Sequence, residues 1–107
     1  MMERPEALAA FSALAHEVRL DLIRRLVVAG PEGASAGALA NGLGISASRL
    51  SFHLAVLSQA GLIGSRRVSR HVIYRADGAR IAALLGYLMH DCCCGLPDLR
   101  AGIAAAD

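Results

Sequence analysis

The stretch from Ser35 to Gly61, SAGALANGLGISASRLSFHLAVLSQAG, limits the fold of this chain more than any other. Ser35 is placed to cap a short helix running through Ala40, and Gly42-Leu43-Gly44 reads as a tight turn. Ser46 is placed to cap a longer helix that stops near Gly61. Two helices joined by a short glycine-bearing turn form a helix-turn-helix unit.

The flanking segments supply the rest. Pro5 opens an apolar-periodic stretch with Leu8, Phe11 and Leu14 at helical spacing. A second helix starts at about Glu17, with Val18, Leu22, Ile23, Leu26 and Val27 on one face and Arg19 and Arg25 outside it. Gly30-Pro31-Glu32-Gly33 ends it. After Gly61 the period changes. LIGSRRVSRHVIYRA predicts a two-stranded hairpin with its tip near Val68-Ser69-Arg70. A last helix is predicted from about Ala79 to His90, with Ile81, Leu84, Leu85 and Leu88 as its apolar stripe. The expected order is ααααββα, a mostly α winged helix-turn-helix with a β-hairpin wing. On this expectation residues 1–91 make up the winged helix-turn-helix domain and residues 92–107 a cysteine-bearing tail.

Composition narrows the partners. Apolar residues make up 55% of a 107-residue chain, more than one small core absorbs. The run Ile81–Met89 is too short to span a bilayer, so a subunit interface is the expected home for the excess. MMERPEALAAF carries early acids and no signal-type apolar region, which sets a cytoplasmic expectation with free thiols. No Asp or Glu occurs between Glu32 and Asp77, whereas Arg49, Arg66, Arg67, Arg70, Arg75, His53 and His71 do. That acid-free block predicts a face for a polyanion.

On the wheel of the helix after Ser46, Leu50, Leu54 and Leu57 form the buried stripe. The opposite arc carries Ser48, Phe52, Ala55 and Gln59, flanked by Arg49 and Ser51. Hydroxyls, an amide and a guanidinium are groups that contact phosphates and base edges in a major groove. Phe52 either touches a thymine methyl or folds back on the preceding helix. His53, beside the stripe, is either a structural histidine or a base reader, and a phosphate contact fits both. The hairpin adds Arg66, Arg67, Arg70 and His71 for the flanking backbone or minor groove.

ISASRLSFHLAVLSQAGLIGSRRVSRHVIYRAD resembles the core of the ArsR/SmtB family of metal- and metalloid-responsive repressors. The family pattern S-x-S-x-[VL]-S-x-H-L-x-x-L is met by Ser46, Ser48, Leu50, Ser51, His53, Leu54 and Leu57. Gly61-Leu62-Ile63, then Arg66-Arg67, Arg70 and Tyr74, follow its wing. FSALAHEVRLDLI resembles the family's A-L-A-x-x-x-R-L-x-I-L helix, and the likeness spans roughly residues 8–77. Ser69 stands where the family often has Gly at the wing tip. The resemblance implies a homodimer paired through the first and last helices on double-stranded operator DNA.

It also frames HDCCCG, residues 90–95, which holds all three cysteines. The arsenic-type site on the helix before the recognition helix is absent, because GASAGALANGLG has no cysteine. A zinc-type site on the last helix survives only as fragments around Asp77 and His90. Cys92, Cys93 and Cys94 occupy a tail position where some arsenic-responsive relatives carry adjacent cysteines. Three soft thiolates suit trivalent arsenic or antimony as effector, with no permanent cofactor. Consecutive helical side chains diverge by about 100°, so the sulfurs converge only where the backbone leaves ideal helix. Two thiols from one chain, joined by a third from the partner or the tail, are the other arrangement. Zinc or cadmium with a fourth ligand from His90 or Asp91, and a redox or persulfide sensor, are the competing inputs. An enzyme is not expected, since no third group orients a histidine and no glycine-rich phosphate loop is present.

Overall fold

The computed structural model describes residues 2–92 and Gly102. Among residues 2–92, five α-helices and three short strands follow one another: α1 (Arg4–Leu14), α2 (Glu17–Ala29), β1 (Ala34–Ser35), α3 (Ala36–Leu43), α4 (Ala47–Gln59), β2 (Ile63–Val68), β3 (His71–Ala76) and α5 (Gly78–Gly86). A 3-10 turn, Gly30–Glu32, follows α2, and a π-helical turn, Tyr87–Cys92, continues α5. The architecture is the winged helix-turn-helix that the sequence predicts.

Local chemistry sets each boundary. Glu3 and Glu6 close a reciprocal capping box at α1, with the Glu3 backbone N–H donating to Glu6 Oε1 at 2.9 Å. That bond, with Arg80 beside it, holds the Glu6 carboxyl below its usual pKa. Ser35 Oγ accepts from the Ala38 N–H, Ser46 Oγ from the Arg49 N–H, and Asp77 Oδ1 from the Arg80 N–H, capping α3, α4 and α5. The helix-turn-helix glycines act alike at both C-termini. Gly44 (φ +66°) and Gly61 (φ +77°) each adopt a left-handed conformation. After α3, the Gly44 and Ile45 N–H groups donate to Asn41 and Ala40. After α4, those of Gly61 and Leu62 donate to Ser58 and Leu57.

The core is a leucine cluster: Leu22, Leu26, Leu50, Leu57 and Leu62 are fully buried. Strands pair antiparallel in the order β1-β3-β2. Ile63 faces Ala76, Arg67 faces Val72, and Val68 faces His71, so Ser69 and Arg70 alone form the tip.

Three expectations change. The buried face of α1 is Ala7, Ala10 and Ala13, small residues that allow a close helix approach, and Leu8 is left 62% exposed. α3 runs on to Leu43, past Ala40. The α-helical part of α5 ends at Gly86 and widens into the π turn. The third strand, β1, has no periodic signature because it is two residues long. The proposed tail, residues 92–107, lies outside the described residues except for the Cys92 backbone and Gly102.

Ser69 holds φ +59°, the left-handed region that costs an L-residue about 1 kcal/mol. Ser69→Gly removes that strain but loosens the unfolded chain. The expected result is a stability equal to or above wild type by up to about 1 kcal/mol in urea unfolding. A clear loss would show that the tip is not left-handed.

Candidate nucleic-acid interface

α4 is held by its leucine face and presents the other. Leu50, His53, Leu54 and Leu57 are buried, while Ser48, Arg49, Ser51, Phe52, Ala55 and Gln59 are exposed. Ser46 caps the helix, and its hydroxyl lies 3.5 Å from that of Ser48. The helix thus turns a Ser46-capped positive end and a first turn bearing Ser48 and Arg49 to the surface, groups suited to phosphate. Phe52 does not fold back on α3: it stands 63% exposed on the outer face.

The wing divides its basic groups between two sides. Residues opposite one another in the β2–β3 register share a face. Arg66, His71 and Arg75 lie on one face with Gly64 and Ile73. Arg67 lies on the other, in line with Ser65, Val72 and Tyr74. Arg66, Arg67, Arg70, His71 and Arg75 are all exposed. Among the described residues the salt bridge present is Arg80–Glu6 at 3.1 Å, away from this surface. With no acid between Glu32 and Asp77, the α4 face and the wing carry uncompensated positive charge.

His53 does not join that surface. It is 5% exposed, and its ring lies 4.5 Å from that of His16, centroid to centroid. Arg19 bridges the site. Its Nε donates to the Ala13 carbonyl at 2.6 Å and its Nη1 to His53 Nδ1 at 3.1 Å. Arginine only donates, so Nδ1 is unprotonated and the neutral ring carries its proton on Nε2. His16 Nδ1 in turn accepts from the Val18 N–H and caps α2. His53 therefore fastens α4 to the α1–α2 corner, and the base-reading role considered for it is corrected: burial closes its ring to a duplex. Helical periodicity places Arg19 outside the apolar face and gives no sign of its role or of that of His16. The one sequence signal for Arg19 is its match to the arginine of the A-L-A-x-x-x-R-L pattern.

These features have close counterparts. A helix-turn-helix domain family model matches residues 14–66. The HTH-type transcriptional regulator YgaV of Escherichia coli is 33% identical over 88 residues, which is 82% of this chain and 87% of that protein. An ArsR-like transcriptional regulator from Rhodococcus sp. RHA1 superposes with a TM-score of 0.75 at 30% identity, covering 96% and 94% of the two chains. The chain belongs to the ArsR family of winged helix-turn-helix transcriptional regulators. A crystal structure of a possible transcriptional regulator for arsenical resistance has a TM-score of 0.67 at 26% identity, covering 92% of this chain and 97% of that one. This ArsR-family chain is accordingly a DNA-binding regulator and not an enzyme. No described helix is long and apolar enough to cross a membrane.

Burial, then the charges of His16, Arg19 and Arg49, depress the His53 pKa below its ordinary 6.5. The folded ring resists a proton that the unfolded chain accepts. Its contribution to stability is complete above about pH 6.5 and is lost as pH falls below it. His53→Gln keeps an acceptor for Arg19 and removes the titration. Between pH 7.5 and 5.5 the wild type should lose denaturation midpoint more steeply than His53→Gln. Parallel curves would exclude the buried His53 ring as the source of the pH dependence.

Proposed function

We propose that this protein is a homodimeric repressor that binds operator DNA in the cytoplasm and is released by trivalent arsenic or antimony held by Cys92, Cys93 and Cys94. Dimerisation is supported by the exposed apolar side chains of the first and last helical segments: Leu8, Leu85 (45% exposed) and Leu88 (37% exposed). A twofold dimer would present two α4 helices to half-sites about one helical turn or more apart. Ser46, Ser48, Arg49, Ser51, Phe52 and Gln59 would meet the major groove, and Arg66, Arg67, Arg70 and His71 the flanking backbone.

The observation that carries the sensing assignment is the run of three thiols at the end of the α5 segment. The donor set suits the ligand, because soft sulfur selects soft ions. The Tyr87–Cys92 backbone has already left α geometry before Cys93 and Cys94, a departure that consecutive sulfurs need if they are to converge. The likeness to a possible arsenical-resistance regulator points the same way. Metalloid binding would alter the packing of α5 at the dimer interface and lower the population that fits the operator. The metalloid must then bind the free dimer more tightly than the DNA-bound one.

Operator duplexes recovered from a random pool provide the test. Arsenite in the presence of reductant should release the DNA, and Cys92→Ser, Cys93→Ser or Cys94→Ser should weaken the response. DNA that stays bound under arsenite sinks the metalloid assignment. Release only by a persulfide or peroxide donor, or only by zinc or cadmium, establishes one of the other inputs through the same cysteines.

Arg67→Ala tests the wing. Binding should weaken across all sequences, and the slope of log K against log salt should flatten by about 0.9 for each phosphate that the variant no longer neutralises. An unchanged slope takes Arg67 out of the interface.

A further inference from the structure

One side chain on α4 has no role in the free protein. The chain has four aromatic residues, two Phe and two Tyr. Phe11, Tyr74 and Tyr87 pack against the core. Phe52 instead stands 63% exposed among polar and small neighbours. A single exposed apolar residue is ordinary on a protein surface, so its position is the informative part. Phe52 shares the outer face with Ser48, Ser51 and Gln59, in the half of α4 nearer the N-terminus. That is the part of a recognition helix that reaches base edges. Ser48 and Ala55, its neighbours one turn away on either side, are too small to cover the ring.

The ring is also braced. It lies against the His53 imidazole in a T-shaped pair, with centroids 5.3 Å apart and planes at 72°. His53 is in turn fixed by Arg19. The phenyl group is thus offered outward from a rigid base rather than on a free tether.

The chemistry of the groove then selects its partner. Major-groove base edges display hydrogen-bond donors and acceptors, with one apolar group among them, the thymine C5-methyl. Against cytosine N4 or guanine O6 and N7, a phenyl ring would strip water from polar atoms and return no hydrogen bond. Against thymine it buries a methyl group. We propose that Phe52 is a specificity-determining residue that packs on a thymine C5-methyl in each operator half-site and penalises a G·C pair there. The assignment rests on α4 being the helix that enters the groove.

Selection from two random duplex libraries, one built with thymidine and one with deoxyuridine, tests it. The wild type should enrich a fixed thymine per half-site from the first library and lose that preference in the second. In a defined duplex, replacing that thymine by deoxyuridine in one half-site should weaken wild-type binding roughly fourfold, the transfer cost of one methyl group. Phe52→Ala should bind the two duplexes equally and keep the wild-type preferences elsewhere, the salt slope and the melting temperature. A wild type that selects uracil at the same position of the second library as strongly as thymine from the first overturns the proposal. So does a Phe52→Ala variant that still discriminates thymidine from deoxyuridine. A wild type that enriches no sequence from either library overturns the DNA-reading assignment itself, and the role of Phe52 with it.

Discussion

Burial of Leu50, Leu54 and Leu57 against Leu22, Leu26 and Leu62 fixes the rotation of α4, and the rest of the surface takes its orientation from that. A helix with one leucine stripe has one way to face the core. Once that stripe is in, Ser48, Phe52, Ala55 and Gln59 can only point away from it. The same cluster sets where the wing begins. Leu62 enters the core directly after the left-handed turn at Gly61, and its N–H returns to the Leu57 carbonyl. α4 and the first wing strand therefore share one buried anchor. A slip of either would empty part of the core, at a cost of several kcal/mol.

Electrostatics acts on a frame that packing has already set. The arginines on α4 and the wing are exposed, and no acid neutralises them along the segment between Glu32 and Asp77. Their mutual repulsion is tolerable while water screens it. It would become useful against a phosphate backbone, whose condensed counterions the arginines would displace. His53 belongs to the frame and not to the charge. A neutral imidazole held by a guanidinium binds α4 to the α1–α2 corner without adding positive charge to the buried side.

Much of this is legible in the sequence where one local rule decides. Ser35 and Ser46 as caps, and Gly61 as the left-handed stop, follow from backbone hydrogen-bond needs that do not depend on the rest of the fold. The hairpin and its tip follow from the change of period after Gly61. What escaped depends on distant partners. Arg19 looks like a solvated residue until α4 brings His53 to it, 34 positions along the chain. The alanine face of α1 is hidden because alanine marks no pattern beside Leu8 and Phe11, yet it is the close approach of backbones that buries it. β1 pairs with β3 across a separation that periodicity does not register. The exposure of Phe52 is a tertiary fact as well: its arc opposite the leucine stripe is legible, but its clearance from α3 is not.

The Arg80 side chain ties α5 to α1 and to the end of α4. It starts on α5 and reaches Glu6 on α1, and a Cβ built on Gly61 would lie 2.9 Å from its Nε. That Nε is buried and has no hydrogen-bond partner. The guanidinium stem is thus a wedge set against the stop of α4, leaning on a glycine because any larger residue would displace it. The helix that leads toward the cysteines and the helix proposed to face DNA therefore bear on the same strut.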